Sequence, residues 1–332
     1  MWPCEGIYTK GLKAAVIKIR VQSLTPSWRL GSSFTAKIYK RYKIPIFGKN
    51  SGCLSRSCIG HYYPGYQNLI KNMKTFLYFR TYPGFSENNL FAKNKFELID
   101  VCVKSMGLCK TLTNAYAVIN NSTPEFTEYL NKKFSLIHHV NAPCDRTDSW
   151  NSKLVYGGVG SFFRTYEFIM SNNHHEDDII LILEDDYLFV DGGFDEWIAA
   201  IGFFDGFVSP YDPPDRYRRS DDAYAKKTSL WLHGSKHWRQ IESTTSTIGG
   251  KFKYFKKAFF TAKIPRPRIR RFHPGYFFGK ELASIDRVFY RRCHYWLGID
   301  LYSPIPALAT HLSMDQLSPG VDWEKRFKEL ER

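Results

Sequence analysis

The sequence feature that most constrains the fold is a run of five apolar residues, Ile179 to Leu183, that ends directly at three acidic residues. Polar residues bound the run on both sides, which is typical of a buried parallel strand that is covered by helices on both faces. Open parallel sheets bind their ligands beyond the carboxyl ends of the strands. The strand is followed directly by Glu184, Asp185 and Asp186, which places these acids at the edge of the sheet where ligands bind.

Alternating strand and helix patterns extend this unit in both directions. Thr123, Pro124 and Glu125 indicate a helix start, with a capping residue, a proline at the first position and an acid in the first turn. The other main predicted elements are strands at 75–79, 114–119 and 136–140 and helices at 92–106, 159–170, 252–263 and 280–292. This alternation predicts an α/β fold with a mostly parallel sheet flanked by helices.

The net charge of +15 is concentrated in two parts of the chain. Residues 1–74 contain 13 Lys or Arg and one acid, and residues 251–271 contain nine Lys or Arg and no acid. The remainder is net −6, which argues against a general polyanion-binding surface, so no nucleic-acid partner is expected. We predict a basic, poorly structured arm over residues 1–73 and one α/β domain over residues 74–332.

The basic arm has two interpretations. It is either a flexible leader, including the case of a start codon assigned upstream of Met73, or an arm that docks to a partner or to a membrane surface. The seven cysteines form no CxxC pair, which favours reduced thiols, and no apolar run approaches the ~20 residues that span a bilayer. We expect a cytoplasmic protein, with at most peripheral contact through the arm at the inner membrane face.

Three adjacent carboxylates at one strand end repel one another unless a cation or a basic partner compensates their charge. Mg²⁺ and Mn²⁺ prefer oxygen ligands of this kind. The cluster Glu184-Asp185-Asp186 therefore predicts a divalent metal site. The alternative is a solvated strand end that leads into a turn.

The segment from Leu183 to Tyr187, followed by Phe189-Val190-Asp191 and an aromatic helix with Trp197, resembles the DXD-type segment of GT-A glycosyltransferases. Its Glu-Asp-Asp form is similar to that of N-acetylglucosaminyltransferase I. The resemblance implies a Rossmann-like, nucleotide-diphospho-sugar transferase fold. It also implies that Asp186 is the metal ligand and that Glu184 and Asp185 lie near the nucleotide sugar. Tyr82, after the first strand, is a further candidate for contact with the nucleotide sugar.

Further segments resemble a group of uncharacterised bacterial and phage GT-A-like proteins, and together they cover roughly residues 75–323. These marker segments are Phe207 to Asp215, His237-Trp238-Arg239, Ser243 to Thr247, and Tyr302-Ser303-Pro304 leading to Thr310-His311. In many GT-A enzymes a histidine placed this late completes the metal shell, so the resemblance implies that His311 is a second metal ligand. A structural role for this histidine is the alternative.

The activity that the resemblance implies is metal-dependent transfer of a hexosyl or N-acetylhexosaminyl group, with inversion. The donor is a nucleotide-diphosphate sugar, and the acceptor is a hydroxyl of a carbohydrate such as a glycan, of a lipid or of another molecule. A bound Mn²⁺ or Mg²⁺ stabilises the charge that develops on the departing diphosphate. The basic block at 251–271 is a candidate for additional charge stabilisation.

An inverting transferase needs a carboxylate that takes the proton of the acceptor hydroxyl. The segment from Ser284 to Arg287, followed by an apolar helix and Leu301 to Pro304, resembles the acidic position before the last sheet strand in inverting members. The resemblance implies that Asp286 is the base, with Glu281 as its nearest rival. The alternative is an exposed helix charge that pairs with Arg287 or Arg291 at the surface.

Two other functions stay open. A sugar-phosphate nucleotidyltransferase shares this kind of sheet, but Arg80 to Gly84 does not match the GxGxR signature that follows the first strand in that class, and Gly157 to Gly160 lies too late in the chain. A catalytically inactive GT-A-like binding protein is the other, and it predicts no metal-dependent affinity for nucleotides.

Overall fold

The computed structural model describes residues 73–86, 88–107, 112–140, 157–218, 229–263 and 285–331. Residues 1–72 of the predicted arm lie outside these ranges. The strands within them are β1 (Thr75–Thr81), β2 (Leu112–Asn120), β3 (Leu136–Val140), β4 (Ile179–Glu184), β5 (Tyr187–Phe189), β6 (Gly206–Val208), β7 (Leu230–His233), β8 (Lys236–Gln240), β9 (Ile248–Lys251), β10 (Asp300–Ile305) and β11 (Ala309–His311). The helices are α1 (Lys95–Met106), α2 (Pro124–Asn131), α3 (Gly157–Ser171), α4 (Gly193–Phe203), α5 (Asp215–Arg218), α6 (Phe252–Lys263), α7 (Ile285–Leu297) and α8 (Trp323–Glu331).

Nine of the described strands form one sheet in the order β3-β2-β1-β4-β9-β6-β10-β8-β7. The first four are parallel, and β6 and β10 are parallel to each other. β9 lies antiparallel between β4 and β6, and β8 pairs antiparallel with both β10 and β7. The mostly parallel sheet flanked by helices is therefore confirmed.

β4 differs from the prediction in one respect, because its second neighbour, β9, is antiparallel. The side chains of Ile179 to Leu183 have no exposed surface. A strand is apolar along its length because both of its faces are buried. The direction of a neighbouring strand does not change this pattern. The apolar run therefore predicted the position of β4 correctly but not the direction of every neighbour.

Helices cover both faces of the sheet because side chains alternate along each strand. Leu77 and Leu181 point to the face that packs against α1, α2 and α4. Tyr78 and Ile182 point to the opposite face, which packs against α3, α6 and α7. The predicted start of α2 is also observed, since Thr123 Oγ1 accepts a hydrogen bond from the Phe126 amide at 3.2 Å.

A small second sheet lies next to the carboxyl end of β4. Two residues after β4 the chain enters β5, and β11 pairs antiparallel with it, so that His311 lies opposite Tyr187. Trp323 and Phe327 of α8 pack with Leu188 of β5 in a separate apolar cluster. β11 and α8, which are far from β4 in the sequence, therefore lie beside its carboxyl end.

The described part of the basic block does not lie at that end of the sheet. β9 runs antiparallel to β4, so it delivers the start of α6 to the opposite edge. There Lys253 pairs with Asp177 at 3.2 Å and Lys256 pairs with Glu176 at 3.3 Å. These lysines therefore do not neutralise a diphosphate at the acidic cluster, and residues 264–271 lie outside the described ranges.

Within the described ranges, no helix combines the length and the apolar character that crossing a membrane requires.

Candidate active site

The candidate site lies at the carboxyl ends of β1 and β4. The strand order reverses at β1, which has β2 and β3 on one side and β4 on the other. Open α/β sheets bind ligands in the crevice outside such a reversal. The register places Arg80 opposite Glu184, the last residue of β4. The acidic cluster Glu184-Asp185-Asp186 therefore lies at this crevice.

Two carboxylates of the cluster contact basic side chains from β1 and α1. Glu184 Oε1 lies 3.2 Å from Arg80 Nη1, and Asp185 Oδ2 lies 2.6 Å from Lys95 Nζ. The Thr81 hydroxyl also donates a hydrogen bond to Asp185. Basic partners therefore compensate much of the cluster's charge, so repulsion among the carboxylates does not by itself require a metal.

The pair of Lys95 and Asp185 is buried, with 5% and 4% of the two residues exposed. Burial raises the pKa of the Asp185 carboxyl, and the charge of Lys95 opposes that shift. α1 presents Lys95 to the cluster at its first residue, where Asn94 caps the helix by accepting from the Glu97 amide at 2.9 Å. A cap and a buried ion pair thus fix the start of α1 against the cluster.

Asp186 contacts a histidine that is 125 positions later in the chain. His311 Nε2 lies 2.8 Å from Asp186 Oδ2, and the Tyr187 ring stacks on the imidazole at a centroid distance of 5.3 Å. Burial alone would lower the pKa of His311, but the charge and hydrogen bond of Asp186 outweigh it and raise the pKa to about 9. Burial alone would raise the pKa of Asp186, but the charge and hydrogen bond of His311, together with the charge of Lys95, lower it.

Two polar atoms of this pair have no hydrogen-bond partner among the described residues. They are Asp186 Oδ1 and His311 Nδ1, and both are buried. An unpaired carboxylate oxygen beside an imidazole fits a divalent cation in its donor types. No group of three or more potential ligand side chains occurs within the described residues. Among the described residues, Asp186 and His311 would be the two protein ligands, and such a pair suits Mg²⁺ or Mn²⁺, because Mg²⁺ usually keeps waters and substrate phosphates in its shell.

Tyr82 lies beside the cluster, at the end of β1. Its side chain is 48% exposed, and Lys95 Nζ lies 4.4 Å from the centre of its ring. Burial of the hydroxyl raises the pKa of Tyr82, while Lys95 opposes the shift. The exposed ring presents a flat surface next to the carboxylates, and its role toward a nucleotide stays a prediction.

The segment 242–247 connects β8 to β9 and crosses the same edge of the sheet. Thr247 Oγ1 accepts a hydrogen bond from the Glu184 amide at 3.1 Å, and Thr245 Oγ1 bonds to the Tyr187 hydroxyl. Thr244 Oγ1 lies 2.8 Å from Ser209 Oγ. Thr247 therefore holds the backbone at Glu184, while Thr245 and Thr244 hold the side chains of Tyr187 and Ser209.

The structure describes only part of one candidate base, Asp286, and nothing of the other, Glu281. Asp286 belongs to the first turn of α7, but its side chain lies outside the described part of the structure, and so does all of Glu281. Arg287, next in the chain, bonds to Glu242 Oε2 through Nε at 2.8 Å and Nη2 at 2.6 Å. The start of α7 is therefore tied to the segment 242–247, and the role of Asp286 stays a prediction.

Sequence reasoning missed Arg80 and Lys95. The signal for Lys95 was present, because Lys95, Ile99 and Cys102 recur at helical spacing and share the buried face of α1. A lysine on an apolar helix face needs a buried partner. The signal for Arg80 was a charged residue at the end of an otherwise apolar strand.

Comparisons with known proteins give a likeness of fold only. No family model and no curated protein matches the sequence. Among solved structures, a 4-diphosphocytidyl-2C-methyl-D-erythritol synthase from Anaerococcus prevotii is 10% identical, with a TM-score of 0.40 over 80% of this chain and 99% of that chain. An inositol-1-phosphate CTP transferase from T. maritima is 12% identical, with a TM-score of 0.37 over 78% and 97%. A nucleotidyl transferase from Methanothermobacter is 12% identical, with a TM-score of 0.35 over 70% and 86%.

These TM-scores are too low for an activity to be carried from those proteins to this chain. The resemblance to GT-A glycosyltransferases also stays a prediction.

Proposed function

We propose that this chain is a transferase that binds the phosphates of a nucleotide at the ends of β1 and β4, through a divalent metal held by Asp186 and His311. One observation carries the proposal. A carboxylate and an imidazole, brought together from positions 125 residues apart, lie at the strand reversal with a buried carboxylate oxygen left without a partner among the described residues.

The roles of the residues follow from their contacts. A bound dication supplies charge that stabilises the departing phosphate group. Asp186 would hold the metal through its carboxylate, and His311 would do so only as neutral imidazole, that is, after losing the proton it carries in the ion pair. Arg80 and Lys95 hold Glu184 and Asp185 in place, which leaves the metal position to the third carboxylate.

Glycosyl transfer is the first candidate reaction. In it the anomeric C–O bond of a nucleotide-diphosphate sugar breaks, the nucleoside diphosphate leaves, and a hydroxyl of a glycan or lipid-linked acceptor attacks the anomeric carbon. The Glu-Asp-Asp segment and the late histidine support this reaction through their resemblance to GT-A enzymes. Asp286 is the proposed base for the acceptor proton.

Nucleotidyl transfer to a sugar phosphate is the second candidate. Here a phosphate oxygen attacks the α-phosphorus of a nucleoside triphosphate, and pyrophosphate leaves. The observation that favours it is the position of two cations, Arg80 and Lys95, at the end of β1 beside the crevice.

Product analysis with Mn²⁺ separates the two reactions. One set of assays offers UDP-, GDP- and dTDP-sugars with glycan acceptors and measures release of the nucleoside diphosphate. The other offers CTP or UTP with sugar phosphates and measures pyrophosphate. Diphosphate release supports glycosyl transfer, and pyrophosphate that requires both substrates supports nucleotidyl transfer. Either product should fall at least a hundredfold in Asp186→Asn, and the absence of both products would contradict the proposed transferase.

A further inference from the structure

A second cluster of charged side chains lies beyond the carboxyl end of β6. Asp212 has no exposed surface, and its Oδ1 lies 2.5 Å from Arg239 Nη2, which β8 supplies. The Tyr217 hydroxyl donates to the other oxygen of Asp212. The Arg239 guanidinium also packs over the Tyr217 ring, 5.1 Å from its centre. We call these three residues the Asp212 cluster.

Asp212 holds the Arg239 side chain in one orientation, and most N–H donors of Arg239 have no acceptor among the described residues. Burial raises the pKa of Asp212, and the charge of Arg239 opposes that shift. An arginine carries five N–H donors, and Asp212 is the one side chain among the described residues that accepts from Arg239. Its Nε is buried and has no partner among them, so the donors left for a ligand are those of the Nη atoms, on a side chain that is 15% exposed. Tyr217 is 53% exposed, so the stacked pair borders solvent.

The Asp212 cluster lies on the same edge of the sheet as the proposed nucleotide site. Tyr211 precedes Asp212 and pairs through its backbone with Ala309 of β11. Its ring packs edge-on against Tyr187, at a centroid distance of 5.8 Å, and Tyr187 in turn stacks on His311. Two tyrosine rings therefore separate the Asp212 cluster from His311.

We infer that Arg239 binds an anionic group, a phosphate or a carboxylate, of the second substrate. This rests on the proposed function, because a nucleotide at β1 and β4 leaves the β6, β10 and β8 half of the edge to the other reactant. The planar guanidinium matches both anions, and a buried carboxylate that orients it reduces the entropy lost on binding. The second substrate is then an acidic or phosphorylated acceptor in glycosyl transfer, or the sugar phosphate in nucleotidyl transfer.

Calorimetric titration of the full chain without metal tests the inference, with inorganic phosphate, glucuronate and glucose as probes. The wild-type protein should bind phosphate or glucuronate but not glucose, and the anion that binds identifies the group. Arg239→Gln should weaken that binding at least tenfold, whereas Asp186→Asn should leave it within twofold. Binding of neither anion, or equal affinities for the wild-type protein and Arg239→Gln, would overturn the inference.

A charge-preserving variant covers the case in which Arg239→Gln does not fold. Arg239→Lys keeps a cation next to Asp212 but lacks the planar fork, so anion affinity should fall several-fold while Mn²⁺-dependent nucleotide binding stays unchanged. Unchanged anion affinity in Arg239→Lys would contradict the claim that the planar guanidinium of Arg239 binds the anion. If nucleotide fails to bind but anion binding still depends on Arg239, the proposed function fails and the anion site stands. If nucleotide binds with Mn²⁺ but anion binding does not depend on Arg239, the anion site is wrong and the proposed function stands.

Discussion

Lys95 carries a charged amino group at a residue that is only 5% exposed, 2.6 Å from Asp185. Removal of one partner of a buried ion pair leaves the other charge uncompensated, which costs about 3–5 kcal/mol. We expect Lys95→Met to lower the free energy of unfolding by that order in urea denaturation. The matched control is Lys93→Met, since Lys93 is 75% exposed and forms surface pairs with Glu97 and Glu331, so its loss should have little effect.

A double variant identifies the cause of that loss. Lys95→Met combined with Asp185→Asn removes both charges, so it should recover much of the stability that the single variant loses. If Lys95→Met is no more destabilising than Lys93→Met, the ion pair does not stabilise the cluster. If the double variant shows no recovery, the loss comes from packing.

His311 gives the metal-free protein a pH-dependent stability. Its pKa is raised to about 9 in the folded state, and an unfolded histidine titrates near 6.5. The stabilisation is therefore fully present below pH ~6.5 and is lost as the pH rises through about 9. Urea denaturation in a chelator should show that the stability advantage of the wild-type protein over His311→Gln shrinks by roughly 3 kcal/mol at most between pH 6 and 9.5. An advantage that is constant over this range would contradict the ion pair with Asp186.

At the scale of elements, β9 determines how closely α4 approaches the sheet. A Cβ atom at Gly249 would lie 2.3 Å from Ile201 Cδ1 and 2.8 Å from Leu181 Cδ2. Gly249→Ala should therefore destabilise the protein by about 1–3 kcal/mol through overpacking. The control is the same substitution with Ile201→Val, which removes the Cδ1 atom and should recover part of the loss in thermal or urea unfolding. Equal losses from the single variant and the double variant would show that α4 does not pack as described.

Sequence patterns predicted some elements and missed others for physical reasons. β1, β4 and α2 were predicted, because burial on two faces and helix capping leave local signals. β9 has glycine at two of its four positions, and Pro304 interrupts β10, so neither has a strong strand signal of its own. Both are held by hydrogen bonds to neighbouring strands on each side.

The same reasoning applies to the candidate site. The acidic residues after β4 were found because they follow the strand directly. The contact between Asp186 and His311 depends on the pairing of β5 with β11, two short strands whose pairing local periodicity does not indicate. Only the resemblance to GT-A enzymes pointed to His311. The Asp212–Arg239 pair was missed, since it joins a loop after β6 to the middle of β8.

At the scale of the whole molecule, the edge of the sheet has two parts with different chemistry. The β1 and β4 part carries the acidic cluster with its basic partners and the exposed ring of Tyr82. The β6, β10 and β8 part carries the Asp212 cluster. The segment 242–247 contacts both, because Thr247 bonds to Glu184 and Ser243 bonds to Arg216 of the short helix α5. This division suits a transferase that brings two substrates together across one edge.

The central claim is that Asp186 and His311 hold a divalent metal against the phosphates of a nucleotide. Calorimetric titration of UDP, CDP and GDP into the full chain, with and without Mn²⁺, tests it most directly. Asp191→Asn is the control, because Asp191 lies close by in sequence but is 78% exposed and pairs with Arg326 at 2.7 Å. We predict Mn²⁺-dependent binding of at least one nucleotide to the wild-type protein and to Asp191→Asn, and at least tenfold weaker binding to Asp186→Asn. Absence of Mn²⁺-dependent binding to the wild-type protein, or equal affinity in Asp186→Asn, would contradict the claim.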